Sequence, residues 1–240
     1  MINTETLTHR EVRAVIGLAE MRGMQLDVLG QFLDMGRTQT YDLAARLLDA
    51  GMIHPLIEVE PGPKWVVPKP AAVTWALGWR ATDWRPSPMW ASHYRAVAQT
   101  RVALDATASH AWMSERIMRH ETAAPGAYAY DGRLMRPDWK CAAVKVDTSR
   151  YLKPEDFSHR LRLVTDQAHR DQCIEVLYVC GGYLRPDAAV ALARQVLPYG
   201  PDLDFSVVDL QALIAKNQAP KSSGGAVVHS LRHRATGGAH

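Results

Sequence analysis

The sequence predicts an α+β protein in which an N-terminal winged helix-turn-helix precedes a small α/β domain. Three observations carry that expectation. Three segments in the first 51 residues repeat apolar side chains at helical spacing. They lead into two extended runs around Pro61-Gly62-Pro63. From about residue 127 onward, short β-forming runs alternate with helical ones. The expected organisation is a winged helix-turn-helix over 1–68, a helical linker or dimerisation segment over 69–110, an α/β domain over 111–215 and a flexible tail over 216–240.

Composition narrows the class. The chain has 240 residues, 47% hydrophobic and 22% charged, which fits a folded globular protein and excludes a disordered, collagen-like or coiled-coil chain. The longest nearly apolar stretch, Ala71 to Trp79, has nine residues, against about 20 for a membrane helix. Glu5, His9, Arg10 and Glu11 interrupt the N-terminus before a signal-peptide core can build. Cys141, Cys173 and Cys180 form no C-x-x-C pair and read as reduced core thiols in a cytoplasmic protein. The net charge is +3, but residues 1–68 carry −3. Arginine supplies 21 of the 28 cations; its planar fork suits phosphates and base edges, although a GC-rich genome favours the same residue.

Thr8 and Glu11 form a capping box for the first helix. Val12, Val15, Ile16 and Ala19 line its buried face. A second helix runs from about Leu26 to Leu33, and Asp34-Met35-Gly36 is the turn. The third opens near Thr38, anchors Leu43, Leu47 and Leu48, and stops at Gly51. Ile53 to Glu60 and Lys64 to Val67 supply the wing. The third helix is the expected reader of duplex DNA. Arg37, Thr38, Gln39, Thr40 and Tyr41 form its polar first turns, with Arg46 further along and Lys64 beside the wing turn. Such residues reach base edges and phosphates, and a helix start offers free N–H groups to a phosphate.

Five tryptophans crowd between Trp65 and Trp90. They fit an interface between subdomains or protomers better than a base-stacking platform. Pro88 to about Ala108 reads as a long helix, followed by one holding Trp112, Glu115 and Arg119. Arg95, Arg101, Arg116 and Arg119 suggest a basic face for dimerisation and phosphate contact. The α/β domain is expected as strands at 127–130, 141–146, 174–179 and 203–208, with helices at 154–168 and 187–197. The tail from Lys216 is rich in Gly and Ser and reads as disordered.

One stretch carries metal-nuclease features. Restriction-type nucleases hold Mg²⁺ between one acid and an acid-x-Lys strand. Here Asp138 follows Pro137, Glu115 precedes on a helix, and the strand gives Lys145-x-Asp147. A lysine where the first acid belongs opposes a cation at short range. No catalytic or metal residue is therefore favoured; Glu115, Asp138, Lys145 and Asp147 are the set an active enzyme would use, with Asp138 and Asp147 on the metal.

The order and spacing of several motifs resembles the replication-relaxation family of plasmid and integrative-element proteins. They are Leu7-Thr8-His9-Arg10-Glu11, Ala44-x-Arg46-Leu47-x-x-Ala50-Gly51-Met52-Ile53, Lys64-Trp65-Val66-Val67, His93, Trp112-x-x-Glu115, Arg136-Pro137-Asp138 and the strand to Asp147. The resemblance spans about residues 7–180. It implies a winged helix joined to a degenerate PD-(D/E)xK nuclease-like domain, acting on mobile-element DNA. Family members carry an acidic pair where this chain has Lys145 and Asp147.

Other chemistries fail on inventory. There is no P-loop and no G-x-S-x-G elbow, and His229 and His233 lack acidic partners. Three functional classes remain. The first is a sequence-specific duplex-DNA-binding homodimer of a plasmid, integrative element or phage, needing no cofactor, serving replication, transfer or transcription control, with a replication or transfer protein as a further partner. The second is a Mg²⁺-dependent DNA endonuclease. The third is a protein-interaction module without DNA binding.

Overall fold

The computed structural model describes residues 4, 7–122, 128–136, 138, 140–149, 153–197, 203–218 and 229–231. The chain is mixed α and β and divides into two compact units, Met1–Ser109 and His110–His240. Among the described residues, no helix is long and apolar enough to cross a membrane.

The first unit begins with α1 (His9–Glu20). Its capping box is formed: Glu11 N donates to Thr8 Oγ1 at 3.3 Å and Thr8 N donates to Glu11 Oε2 at 2.8 Å. The short strand β1 (Met24–Gln25) leads into α2 (Leu26–Leu33). Asp34 then takes a left-handed conformation at φ 54 and turns the chain, so that α3 (Arg37–Asp49) starts three residues on. Gly51, at φ 73, closes α3 as its composition predicts. Leu43, Ala44 and Leu47 are buried, but Leu48, expected as an anchor, is 38% exposed, because it falls on the outward side of the helical repeat.

The wing departs from two continuous strands. Strand β2 (Trp65–Val66) pairs antiparallel with β1, while the 53–60 run contributes only single bridges, Ile53 to Pro68 and Ile57 to Trp65. Pro55 interrupts that run and has no N–H to give a ladder. Helices α4 (Pro70–Leu77) and α5 (Pro88–Ala103) belong to this same unit. Val73 and Ala81 join Ala19 of α1 in one apolar cluster, and Ala91 joins Trp65 and Val67 in another. Trp65, Trp84 and Tyr94 stack edge to face at centroid distances of 5.9 and 5.0 Å. Trp65 is buried in this unit with Trp84 and Tyr94 half-buried against it, while Trp75 and Trp90 are 39% and 55% exposed. Helix α5 stops at Ala103, short of the expected Ala108, where Asp105 turns left-handed at φ 55.

The second unit is a mixed sheet of six strands in sequential order. Strands β3 (Trp112–Ser114), β4 (Gly132–Met135) and β5 (Cys141–Asp147) are antiparallel, with α6 (Glu115–Thr122) after β3. Helix α7 (Pro154–Arg170) leads to β6 (Glu175–Cys180), and α8 (Pro186–Val196) to β7 (Asp204–Asp209), both parallel to β5. Phe157 and Leu161 of α7 and Ala189 and Ala193 of α8 pack in one core with Ala143 and Tyr178. Helix α9 (Leu210–Gln218) and strand β8 (His229–Leu231), antiparallel to β7, complete the unit.

Three expectations are corrected. Trp112 lies in a strand, its ring against Gly132, where an added Cβ would sit 1.9 Å from the indole. The strand expected at 127–130 lies instead at Gly132–Met135, because Tyr128 and Tyr130 turn their hydroxyls to Asp171; Ala127 falls outside the described residues. Part of the expected disordered tail is ordered, since α9 runs through Lys216 to Gln218 and 229–231 add a strand to the sheet edge. Residues 219–228 and 232–240 lie outside the described residues.

Candidate nucleic-acid interface

The α2-turn-α3 unit is tightly fitted. A Cβ on Gly30 of α2 would meet Thr40 Oγ1 of α3 at 2.8 Å, so glycine sets how closely the helices approach. Thr40, predicted as a reader, is 2% exposed and donates its hydroxyl to Gly36 O at 2.9 Å. It holds the turn and faces inward. Gln39 is exposed but caps the helix, its Oε1 accepting from Gly36 N at 3.2 Å.

Arg37, Thr38 and Tyr41 are exposed beside it, with Arg37 5.9 Å from the Tyr41 ring centroid. The outward line continues through Ala45 to Leu48. The first N–H groups of α3 have no partner within the helix.

The wing tip is fastened next to this surface. Leu26 N donates to Lys64 O at 2.9 Å, and Gln25 Nε2 donates to Pro63 O at 2.9 Å. Lys64 itself is exposed. Between tip and helices lies a concavity of about 500 Å³, lined by Asp27 and Gln31 of α2, Arg37 and Tyr41 of α3, and Gly62 and Pro63.

The acidic balance of residues 1–68 is met from within the unit. Asp27 receives a two-point clamp from Arg95 at 2.9 and 2.6 Å, and Arg95 also donates to Gln25. Glu11 accepts from Arg46 Nε at 2.6 Å. Burial alone would raise the Glu11 carboxyl, but Arg46 and Thr8 hold it below the usual range. Glu20 pairs with Arg101 in the interior. Residues 69–109 bring five Lys/Arg against two acids, leaving 1–109 formally neutral.

These pairings correct the expected basic face. Arg95 and Arg101 are spent on Asp27 and Glu20, Arg116 is buried, and Arg119 pairs with Glu115 one turn away at 3.4 Å. Arg46, expected at the interface, is anchored to Glu11, although its side chain remains 56% exposed.

The acids singled out in the second unit do not converge. Asp138 is exposed in the β4–β5 connection and pairs with Lys140 at 3.2 Å. Asp147 closes the far end of β5, a strand of seven residues, so about 20 Å of chain separates it from Asp138. Asp147 accepts three hydrogen bonds. Tyr178 donates its hydroxyl at 2.5 Å, Arg160 at 2.7 Å and Ser149 N at 2.8 Å. Burial would raise its carboxyl, yet these donors hold it below the usual range.

Lys145 pairs with Asp131 at 3.1 Å, and Val146 N donates to the same carboxylate at 2.8 Å. Glu115 N donates to Asp131 O at 3.1 Å. The Asp131 carboxylate is thus the partner of Lys145, while Glu115 meets Asp131 through the backbone and pairs its own carboxylate with Arg119; the Asp131-Gly132 pair suggested only a turn. Among the described residues, no group of three or more His, Cys, Asp or Glu is placed to hold a metal ion. Compared with protein-family models, curated proteins and solved structures, the chain finds no match.

Proposed function

We propose that this chain is a duplex-DNA-binding protein whose first unit acts as a winged helix-turn-helix. In this reading α3 enters the major groove, the wing tip lies on the neighbouring backbone, and two copies occupy paired half-sites. The second unit is a nuclease-like domain that serves assembly or partner binding without cleaving DNA. The setting is replication, transfer or transcription control on a mobile element, as in the replication-relaxation proteins that the motifs resemble.

One observation carries the proposal. Arg37 and Tyr41 at the exposed start of α3 and Gly62 and Pro63 at the wing tip line one concavity, and Thr38, Gln39 and Lys64 are exposed at neighbouring positions. A helix start beside the exposed Lys64 suits a groove and its flanking phosphate, with Glu58 and Glu60 exposed on the other arm of the wing. Arg101 and Arg95 neutralise Glu20 and Asp27, while Asp34, Asp42, Asp49, Glu58 and Glu60 stay exposed. The outward line Thr38, Ala45 and Leu48 supplies methyl groups, the chemistry that contacts thymine methyls.

The test is selection of bound sites from a random duplex pool, with and without Mg²⁺, at low and moderate salt. A salt-sensitive complex with intact DNA and an enriched motif is expected. On that motif, Arg37→Ala weakens binding by about 1–3 kcal/mol, while Asp138→Ala leaves affinity unchanged. Absence of any complex at low salt refutes DNA binding, and Mg²⁺-dependent cleavage that Asp131→Ala abolishes replaces the inert reading of the second unit.

A further inference from the structure

Two thiols far apart in sequence meet in the core of the second unit. Cys141 Sγ and Cys173 Sγ lie 3.2 Å apart, although 32 positions separate them along the chain. They are 7% and 4% exposed. The backbone fixes this encounter from both sides. Cys141 opens β5, and Ile174 N donates to its carbonyl at 3.0 Å. Gln172, left-handed at φ 57, follows the end of α7, and Cys173 N returns to Ala168 O at 2.9 Å. A disulfide needs the sulfurs at about 2.05 Å. The gap is therefore a little over 1 Å, within reach of side-chain rotation while β5 and β6 stay paired.

We propose that Cys141 and Cys173 form a thiol–disulfide site, oxidised to an intramolecular disulfide by hydrogen peroxide or a similarly small hydroperoxide. The class of oxidant follows from burial: a small peroxide can reach sulfurs that a bulky disulfide such as oxidised glutathione cannot. Cys141, the more exposed, reacts first as thiolate. Its sulfur attacks one peroxide oxygen, the O–O bond breaks, and a sulfenic acid and hydroxide result. The Cys173 sulfur then attacks the sulfenic sulfur. The S–S bond forms, the S–O bond breaks, and the hydroxyl leaves as water with the Cys173 proton. Two electrons pass from the two sulfurs to the peroxide. Burial, with Cys141 alongside, pushes the Cys173 thiol up to about 12, so its proton stays on sulfur until the departing hydroxyl takes it. The finished bond ties the start of β5 to the loop entering β6 and spans the whole of α7.

Cys180 is an internal control. It lies at the opposite end of β6 beside Asp147, and burial pushes its thiol up to about 12 as well.

The test exposes the reduced full-length chain to hydrogen peroxide, then denatures it, alkylates remaining thiols and maps peptides by mass spectrometry. The expected product is a cross-link between the Cys141 and Cys173 peptides, reversed by dithiothreitol, with Cys180 alkylated throughout. In Cys141→Ser the cross-link disappears. Fully alkylated thiols after peroxide excess overturn the proposal, as do sulfinic acid without a cross-link or a cross-link through Cys180. The wild-type measurement decides even where a cysteine variant fails to fold.

Discussion

Replacing Arg101 by Met strands a carboxylate inside the first unit. Glu20 and Arg101 are 5% and 1% exposed at the side chain and meet at 2.5 Å. Arg101 also donates from Nε to Ala106 O at 2.9 Å, and its guanidinium lies 5.1 Å from the Phe32 ring centroid. Thus one side chain braces α1, α2 and α5. Burial outweighs the attraction of Arg101 and leaves the Glu20 carboxyl above its usual range.

Breaking such a buried pair from one side costs about 3–5 kcal/mol, whereas exchanging both partners for apolar residues of similar volume is close to neutral or stabilising. For a unit of this size about 1 kcal/mol moves Tm by about 4–8 °C, so Arg101→Met lowers Tm by at least about 12 °C. The double variant Glu20→Leu/Arg101→Met recovers most of that loss. Tryptophan fluorescence in a thermal or urea titration is the assay, because Trp65, Trp75, Trp79, Trp84 and Trp90 all lie in this unit.

The pH dependence carries a sign. A carboxyl raised in the fold contributes stability below its unfolded pKa, and that contribution is lost as pH climbs through the folded value. Wild type minus double variant therefore falls with rising pH above the ordinary glutamate range. Additive single effects, or a cost for Arg101→Met under about 1 kcal/mol, refute the coupling.

One further perturbation probes each unit. Gly30→Ala places a methyl group 2.8 Å from Thr40 Oγ1 and 3.1 Å from Met35 O. It destabilises the first unit by about 1–3 kcal/mol and weakens DNA binding, and Thr40→Ala in the same chain makes the two costs less than additive in urea titrations. Tyr178→Phe removes a 2.5 Å hydrogen bond to Asp147, worth about 1.5–3 kcal/mol to a charged acceptor. Because Asp147 is held below the usual carboxylate range, its stabilisation exists above the unfolded pKa and disappears as pH falls through the folded one. The acid-unfolding midpoint of Tyr178→Phe accordingly shifts to higher pH, read by far-UV circular dichroism, and an unchanged midpoint excludes that role.

Local signals were readable in the chain. The Thr8–Glu11 capping box, the Asp34 turn and the Gly51 stop act within a few residues of themselves, and the structure forms each one. So does the apolar run of β5, flanked by parallel β6 through α7. What escaped were the partners at long sequence distance. Arg95 meets Asp27 across 68 positions and Arg101 meets Glu20 across 81, so helical periodicity alone placed both on an exposed basic face. Thr40 fits a polar reader by type, and only the close approach at Gly30 turns it inward. Asp131 carries a turn signature as sequence, and becomes the partner of Lys145 only when β4 and β5 pair.

Those inward pairings set how electrostatic the proposed DNA complex can be. Among the described residues bordering α3 and the wing tip, Arg37 and Lys64 are exposed cations, while Arg46 is held by Glu11. Two or three phosphates neutralised per protomer give a slope of log K against log salt of about −2 to −3. Affinity per protomer then falls on the order of 10–60-fold between about 50 and 200 mM salt. Glu11→Gln removes the acid that binds Arg46 and should steepen the slope by about one, at some cost to the capping box of α1. A protomer slope near −6 or beyond would mean that DNA lies on a different, more basic surface, and an unchanged slope in Glu11→Gln would mean that Arg46 never reaches a phosphate. The salt titration thus separates a groove-reading α3 from nonspecific attraction, using charges whose internal partners are already identified.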